Sequence, residues 1–112
     1  MAVRAMAKNV GISPRKVRRV VNIVRGKRVK AALEILDFLP TPVAREVAKV
    51  VRSAASNAEN NGMMARDDLR IVEIHADPGV VLRRSRARSR GRTSRIIKRT
   101  SHITVLVDEE ES

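Results

Sequence analysis

Between Arg83 and Arg99 the chain places eight arginines and one lysine in seventeen residues, and no carboxylate occurs from Pro78 to Val107. Arg84, Arg86, Arg88, Arg90 and Arg92 fall at every second position. In an extended backbone alternate side chains share a face, so five guanidinium groups would line one edge over roughly 26 Å. Guanidinium is planar, permanently charged, and binds phosphate oxygens in pairs while also stacking on base planes. The run is therefore fitted to nucleic acid. The same composition also describes disordered basic tails, but "HITVLV" follows at His102–Val107 and reads as a buried strand. That makes the run an internal segment anchored at both ends.

No other set of residues points to a reaction. His75 and His102 are the two histidines; they sit on separate predicted strands, with no nucleophile or ligand cluster beside either. Each reads as a polar strand residue. Asp67 and Asp68 precede a strand and read as a solvated loop rather than a metal site. There is no glycine-rich phosphate loop. The absence of cysteine excludes disulfides, the usual zinc fingers and thiol catalysis, and fits a reducing cytoplasm. The expectation is a protein that is not an enzyme, with no cofactor and no metal. Phe38 is the single aromatic residue, which removes the stacking platforms of single-strand RNA modules. No apolar stretch has the length of a membrane span, so no membrane partner is expected.

Charge is polarised along the chain. Of the net +12, residues 1–30 contribute ten cations and no acid, residues 31–77 a net minus three, residues 78–107 plus nine, and the last five minus four. Arginine outnumbers lysine eighteen to six, favouring bidentate phosphate contacts over point-charge attraction. With 112 residues the chain has room for one domain with a modest core. We assign residues 1–107 to it, with 108–112 as an acidic disordered tail.

The elements that must carry these arginines follow from periodicity. Residues 2–9 alternate, with Val3, Ala5 and Ala7 against Arg4, Met6 and Lys8, as in a half-buried strand. Ser13 and Pro14 then form a helix start, with Ser13 as cap, and Gly26 forms its end. Within that helix Val17, Val20, Val21 and Val24 cluster on one side and Arg15, Arg18, Arg19, Asn22 and Arg25 on the other. Like charges at helical neighbour spacing repel, a cost that an anionic partner would relieve. Val29, Ala32, Leu33 and Leu36 predict a short second helix ending around Phe38 to Pro40. Thr41 and Pro42 start a third, buried through Val43, Val47, Val50, Val51, Ala54 and Ala58 and ending near Gly62.

A second strand spans 69–76, with Val72, Ile74 and Ala76 on one face and Ile71, Glu73 and His75 on the other. A turn or bulge at Asp77 to Gly79 leads into Val80–Leu82. A third strand covers Ile103–Val107. If these two strands pair antiparallel, the arginine run becomes a long hairpin extension over about 80–99. Gly91, inside the run, is the natural place for positive φ near its tip. The fold class is thus α+β: three helices on a small three-stranded antiparallel sheet with a protruding basic β-hairpin.

The segments "SPRKVRRVVNIVRGK" at 13–27, "SAASNAENN" at 53–61 and "RGRTSRIIKRTSHITVLV" at 90–107 resemble the ribosomal protein L-twenty-two family of the bacterial large subunit. The resemblance covers nearly the whole chain, and the final segment is the most specific. It implies a structural constituent of the large ribosomal subunit that binds and organises large-subunit rRNA and supports subunit assembly. It also implies that the hairpin reaches the nascent-peptide exit tunnel, with Ser85, Arg86, Ala87, Arg88, Ser89, Arg90 and Gly91 as its tunnel-lining tip. The implied partners are rRNA, neighbouring large-subunit proteins and, near the tip, the nascent polypeptide; no homo-oligomer is expected. The rRNA-binding set is Arg15, Lys16, Arg18, Arg19, Arg25, Lys27, Arg28, Arg83, Arg84, Arg86, Arg88, Arg90, Arg92, Arg95, Lys98 and Arg99. A DNA-architectural protein with basic arms is the rival reading, but it would need an intercalating residue at the tip, where the sequence offers Ala87 and Gly91. An RNA-modifying enzyme would need a reactive site that the sequence does not display.

Overall fold

The computed structural model describes the backbone of residues 2–87 and 93–109, and their side chains outside 82–96. The chain runs through β1 (Val3–Val10), α1 (Pro14–Val24), α2 (Val29–Phe38), α3 (Pro42–Asn61), a short 3-10 turn at Arg66–Asp68, β2 (Leu69–Ala87) and β3 (Thr93–Glu109). The strands form one antiparallel sheet in the order β1-β3-β2. The α+β architecture is the expected one.

Two of the three helices start where a local signal sets them. Pro14 and Pro42 occupy the first helical positions of α1 and α3, where a missing N–H removes nothing from the helix. Thr41 caps α3, its hydroxyl oxygen accepting from the Ala44 N–H at 3.3 Å. Ser13 stands at the corresponding position of α1, but its side chain makes no capping bond. Its backbone carbonyl accepts from the N–H groups of Lys16 and Val17 instead. Gly26 ends α1 in the left-handed region, with φ of 79°, a conformation that costs an L side chain about 1–2 kcal/mol.

The core joins the apolar stripes to one face of the sheet. Val17, Val21 and Val24 of α1, Val29 and Leu36 of α2, and Val47 and Val51 of α3 are sealed from solvent with Ile71, Ile74, Ile103, Val105 and Val107. Ala44, Ala48, Ala54, Ala55 and Ala58 are buried too. Small side chains there let α3 lie close on β1 and β3. Phe38, the one aromatic residue, ends α2 with 88% of its surface exposed and adds nothing to the core.

Three expectations need correction. Alternation puts Val72 on the buried face of β2 with Ile74 and Ala76. A register shift between Ile71 and Glu73 puts an extra residue into the strand there, so Ile71 and Ile74 are both buried while Val72 is 42% exposed. The strands are also longer than their apolar cores. β2 continues through the bulge to Ala87 and β3 begins at Thr93, because the two pair with each other well beyond the body, from Val81 opposite Arg99 to Ala87 opposite Thr93. Finally, positions 108 and 109, expected in an acidic tail, are strand: Asp108 and Glu109 belong to β3, opposite Arg70 and Leu69. Residues 110–112 lie outside the described residues.

This pairing makes the molecule long. Its radius of gyration is 17.1 Å, against about 13 Å for a compact domain of this length. The principal extents are 67 × 26 × 17 Å.

Candidate nucleic-acid interface

The interface begins at the free edge of β2. An edge strand presents unpaired carbonyls, and the polar face of α1 covers two of them. Arg18 Nε donates to the Ala76 carbonyl at 3.1 Å, and an Arg25 terminal nitrogen donates to the Ile74 carbonyl at 3.0 Å. The other Arg25 terminal nitrogen donates to Asn22 Oδ1 at 2.8 Å. The loop after α1 continues the cover, with the Ile71 N–H donating to the Lys27 carbonyl at 2.9 Å and Arg28 bridging to Arg70. The cationic face of α1 is thereby divided. Arg18 and Arg25 hold the helix to the sheet edge through part of their donors, whereas the side chains of Arg15, Lys16 and Arg19 project from the surface without a hydrogen bond or ion pair among the described residues.

The second part is the root of the hairpin, where three strands become two. β1 breaks register between Ala7 and Val10, and β2 breaks register between Pro78 and Val81, so both flanking strands bulge against the same stretch of β3, Thr100–His102. Asn9 sits in the β1 irregularity with φ of 54°, a conformation that asparagine tolerates better than most residues. Its N–H donates to His102 Nδ1 at 3.1 Å, and its Oδ1 accepts from the Val80 N–H at 3.3 Å. Thr100 donates its hydroxyl to the Val80 carbonyl at 2.6 Å, and the buried Ser101 donates to the Ile12 carbonyl. Thus consecutive polar residues of "TSH" at 100–102 tie β2, the loop before α1, and β1 to the central strand. Gly79 is required for space rather than for φ: a Cβ there would lie 2.6 Å from Thr100 Oγ1, 3.0 Å from Asn9 Oδ1 and 3.2 Å from His102 Cε1.

Beyond this root the ribbon has two strands and no covering layer, and its first residues carry exposed apolar surface at Val80, Val81 and Ile97. In the angle between the ribbon and the start of α1 lies an open cleft of about 580 Å³, lined by Ser13, Pro14, Arg15, Arg18, Pro78, Gly79, Val81, Arg99 and Thr100. It contains no carboxylate. Lys49 pairs with Glu46, Arg52 with Asp37 and Arg66 with Glu59, all away from the cleft in the near-neutral middle of the chain. The first turn of α1 also lacks an acid, so Arg15 and Lys16 stand at the positive end of the helix dipole.

Of the sequence-predicted contact residues, Arg15, Lys16, Arg18, Arg19, Arg25, Lys27 and Arg28 are all exposed along α1 and the following loop. Lys98 and Arg99 are exposed at the ribbon root, Lys98 beside Gly11. The backbone places Arg83 opposite Ile97, Arg84 opposite Ile96, Ser85 opposite Arg95, and Arg86 opposite Ser94. The expected contacts Arg88, Arg90 and Arg92, and the tip with Ser89 and Gly91, lie outside the described residues. Sequence reasoning missed the root. Asn9 and Thr100 carried no periodic signal, and His102 read as an ordinary polar strand residue, because a register break in a neighbouring strand leaves no local mark. The available hint was Pro78-Gly79 between two apolar strand segments.

Among the described residues no group of three or more histidine or acidic side chains could hold a metal, and no helix is long and apolar enough to cross a membrane. Residues 5–108 match the family model described as ribosomal protein L22p/L17e. The curated relatives include large ribosomal subunit protein uL22 of Dehalococcoides mccartyi, 50% identical over 107 residues, covering 96% of this chain and 98% of the relative. The protein of that name from Herpetosiphon aurantiacus is 49% identical over 111 residues, covering 99% and 98%. That of Roseiflexus castenholzii is 51% identical over 111 residues, with the same coverage.

Proposed function

Because the chain belongs to the ribosomal protein L22p/L17e family, and so is a non-enzymatic constituent of the large ribosomal subunit, we propose that it binds and organises large-subunit rRNA through the α1 face and the ribbon. The observation that carries this reading is the separation of charge. In the middle segment Lys49, Arg52 and Arg66 are used in ion pairs, whereas the side chains of Arg15, Lys16, Arg19, Lys98 and Arg99 are held out without described partners. Phosphate neutralisation is what such an arrangement does well. It brings RNA strands together on a scaffold whose direction is set at Asn9, Gly79 and Thr100–His102.

The ribbon's dimensions and the family resemblance support a further element of the proposal: the body stays at the subunit's outer surface while the hairpin enters the rRNA and its tip reaches the wall of the nascent-peptide exit tunnel. Neighbouring large-subunit proteins and the nascent chain near the tip are the corresponding partners. The mechanism is electrostatic and geometric. If on the order of 6–10 phosphates are neutralised, affinity drops by several powers of ten between low and moderate salt. The test is co-sedimentation of tagged full-length chain with large subunits through a moderate-salt wash, followed by mapping of protected rRNA. Retention with protections grouped along the α1 face and ribbon is expected; loss of the chain from the subunits overturns the proposal.

A further inference from the structure

We infer that the cleft at the ribbon root seats a single unpaired nucleotide of the bound RNA, with its phosphate toward Arg15, Arg18 and Arg99 and its sugar and base against Pro78 and Val81. The inference rests on the rRNA-binding reading and adds to it the chemistry of one subsite.

Three features distinguish this cleft from a basic surface. First, its cations come from opposite walls, Arg15 and Arg18 from α1 and Arg99 from β3, so they converge on one volume rather than tracking a line of phosphates. Arg18 spends its Nε on the Ala76 carbonyl, which fixes the guanidinium at the rim while its terminal nitrogens keep their donors. Second, the floor is apolar. Val81 leaves 40% of its surface open beside Pro78, and a phosphate alone has no use for such a surface. A base or ribose does. Third, at about 580 Å³ the space falls within the roughly 300–1,000 Å³ of small-molecule sites, whereas a continuous duplex would touch only its rim. The position is rigid as well: the hydrogen bonds of Thr100 and Asn9 to Val80 lie directly behind it.

The absence of cysteine supplies the test. Val81→Cys in the full chain can be alkylated selectively with N-ethylmaleimide, filling the cleft without altering charge. Met63→Cys, at an 89% exposed position in the near-neutral middle, is the matched control. Binding to large-subunit rRNA is measured by filter retention. Alkylated Val81→Cys is expected to bind at least tenfold more weakly than the same protein before alkylation, with the Met63→Cys control unchanged by alkylation. Probing the RNA with dimethyl sulfate and carbodiimide, which modify unpaired base edges, is expected to show a protected base that becomes reactive on Val81 alkylation. Equal binding by the two alkylated proteins overturns the cleft inference and leaves rRNA binding intact. A loss of affinity that changes backbone protections but no base reactivity also overturns it, since the cleft then receives phosphate backbone only. Failure of the unaltered chain to bind rRNA overturns the proposed function itself.

Discussion

Replacing Gly79 by alanine is the sharpest probe of the junction between body and ribbon. The new Cβ would sit 2.6 Å from Thr100 Oγ1, inside van der Waals contact, with Asn9 Oδ1 and His102 Cε1 close behind at 3.0 and 3.2 Å. Thr100 cannot simply swing away. Its χ1 is stiff because the side chain is β-branched, and its hydroxyl is engaged with the Val80 carbonyl at 2.6 Å. Relieving the overlap costs about 1–3 kcal/mol of overpacking strain, and the lost hydrogen bond adds about 1 kcal/mol. Gly79→Ala is therefore expected to destabilise by about 2–4 kcal/mol. Thr100→Ala loses the hydrogen bond and one methyl, costing about 1–2 kcal/mol. In the double variant the methyl introduced at position 79 enters the space that the hydroxyl has left, so the combined cost should fall short of the sum by more than about 1 kcal/mol. Urea denaturation of all four full-length proteins, followed by far-ultraviolet circular dichroism, measures the cycle. Additivity within about 0.5 kcal/mol would refute the reasoning, because it would mean that Gly79 and Thr100 do not compete for the same space.

Arg18→Ala and Arg25→Ala should each lower stability by about 1 kcal/mol, or the melting temperature by roughly 4–8 °C, because each uncovers a β2 carbonyl. Arg15→Ala and Arg19→Ala, without described partners, should stay within about 0.5 kcal/mol in the same denaturation assay while weakening RNA retention. Gly26→Ala should cost about 1 kcal/mol from the left-handed backbone alone, since no atom lies within 4 Å of the new Cβ; Gly26→Asn should recover part of that loss in thermal melts. Replacing Arg88, Arg90 and Arg92 together by alanine should reduce the slope of log affinity against log salt by about 2–3 in filter binding to rRNA, leaving the melting temperature nearly unchanged.

The helical half of the fold was legible because its signals are local. Valines at 17, 20, 21 and 24 and the two Ser/Thr-Pro starts depend on neighbours within one turn. The sheet was legible only in part, since a strand's faces depend on its partner's register. Val72 shows the difference: its alternation with Ile74 was real in the sequence, but a bulge opposite β3 turned it outward. The arginine face of α1 was likewise found correctly and interpreted incompletely. Helical spacing groups Arg15, Arg18, Arg19 and Arg25, but which of them meets a carbonyl depends on where β2's edge lies, 49 and 58 residues further along the chain.

That division of labour bears on how a small body can direct a long basic arm. A two-stranded ribbon is at best marginally stable by itself, so its direction must be imposed at the root. The same few residues achieve this from three sides: α1 grips the outer edge of β2 through Arg18 and Arg25, Asn9 spans β1, β2 and β3, and Thr100 locks the bulged strand to the central one. Arg18 belongs to both systems, since it fastens the helix and lines the cleft. A nucleotide seated there would contact the helix, the bulge and the arm together, so its binding energy would oppose any swing of the ribbon. RNA bound at the root would then stiffen the arm along which the remaining arginines meet their phosphates.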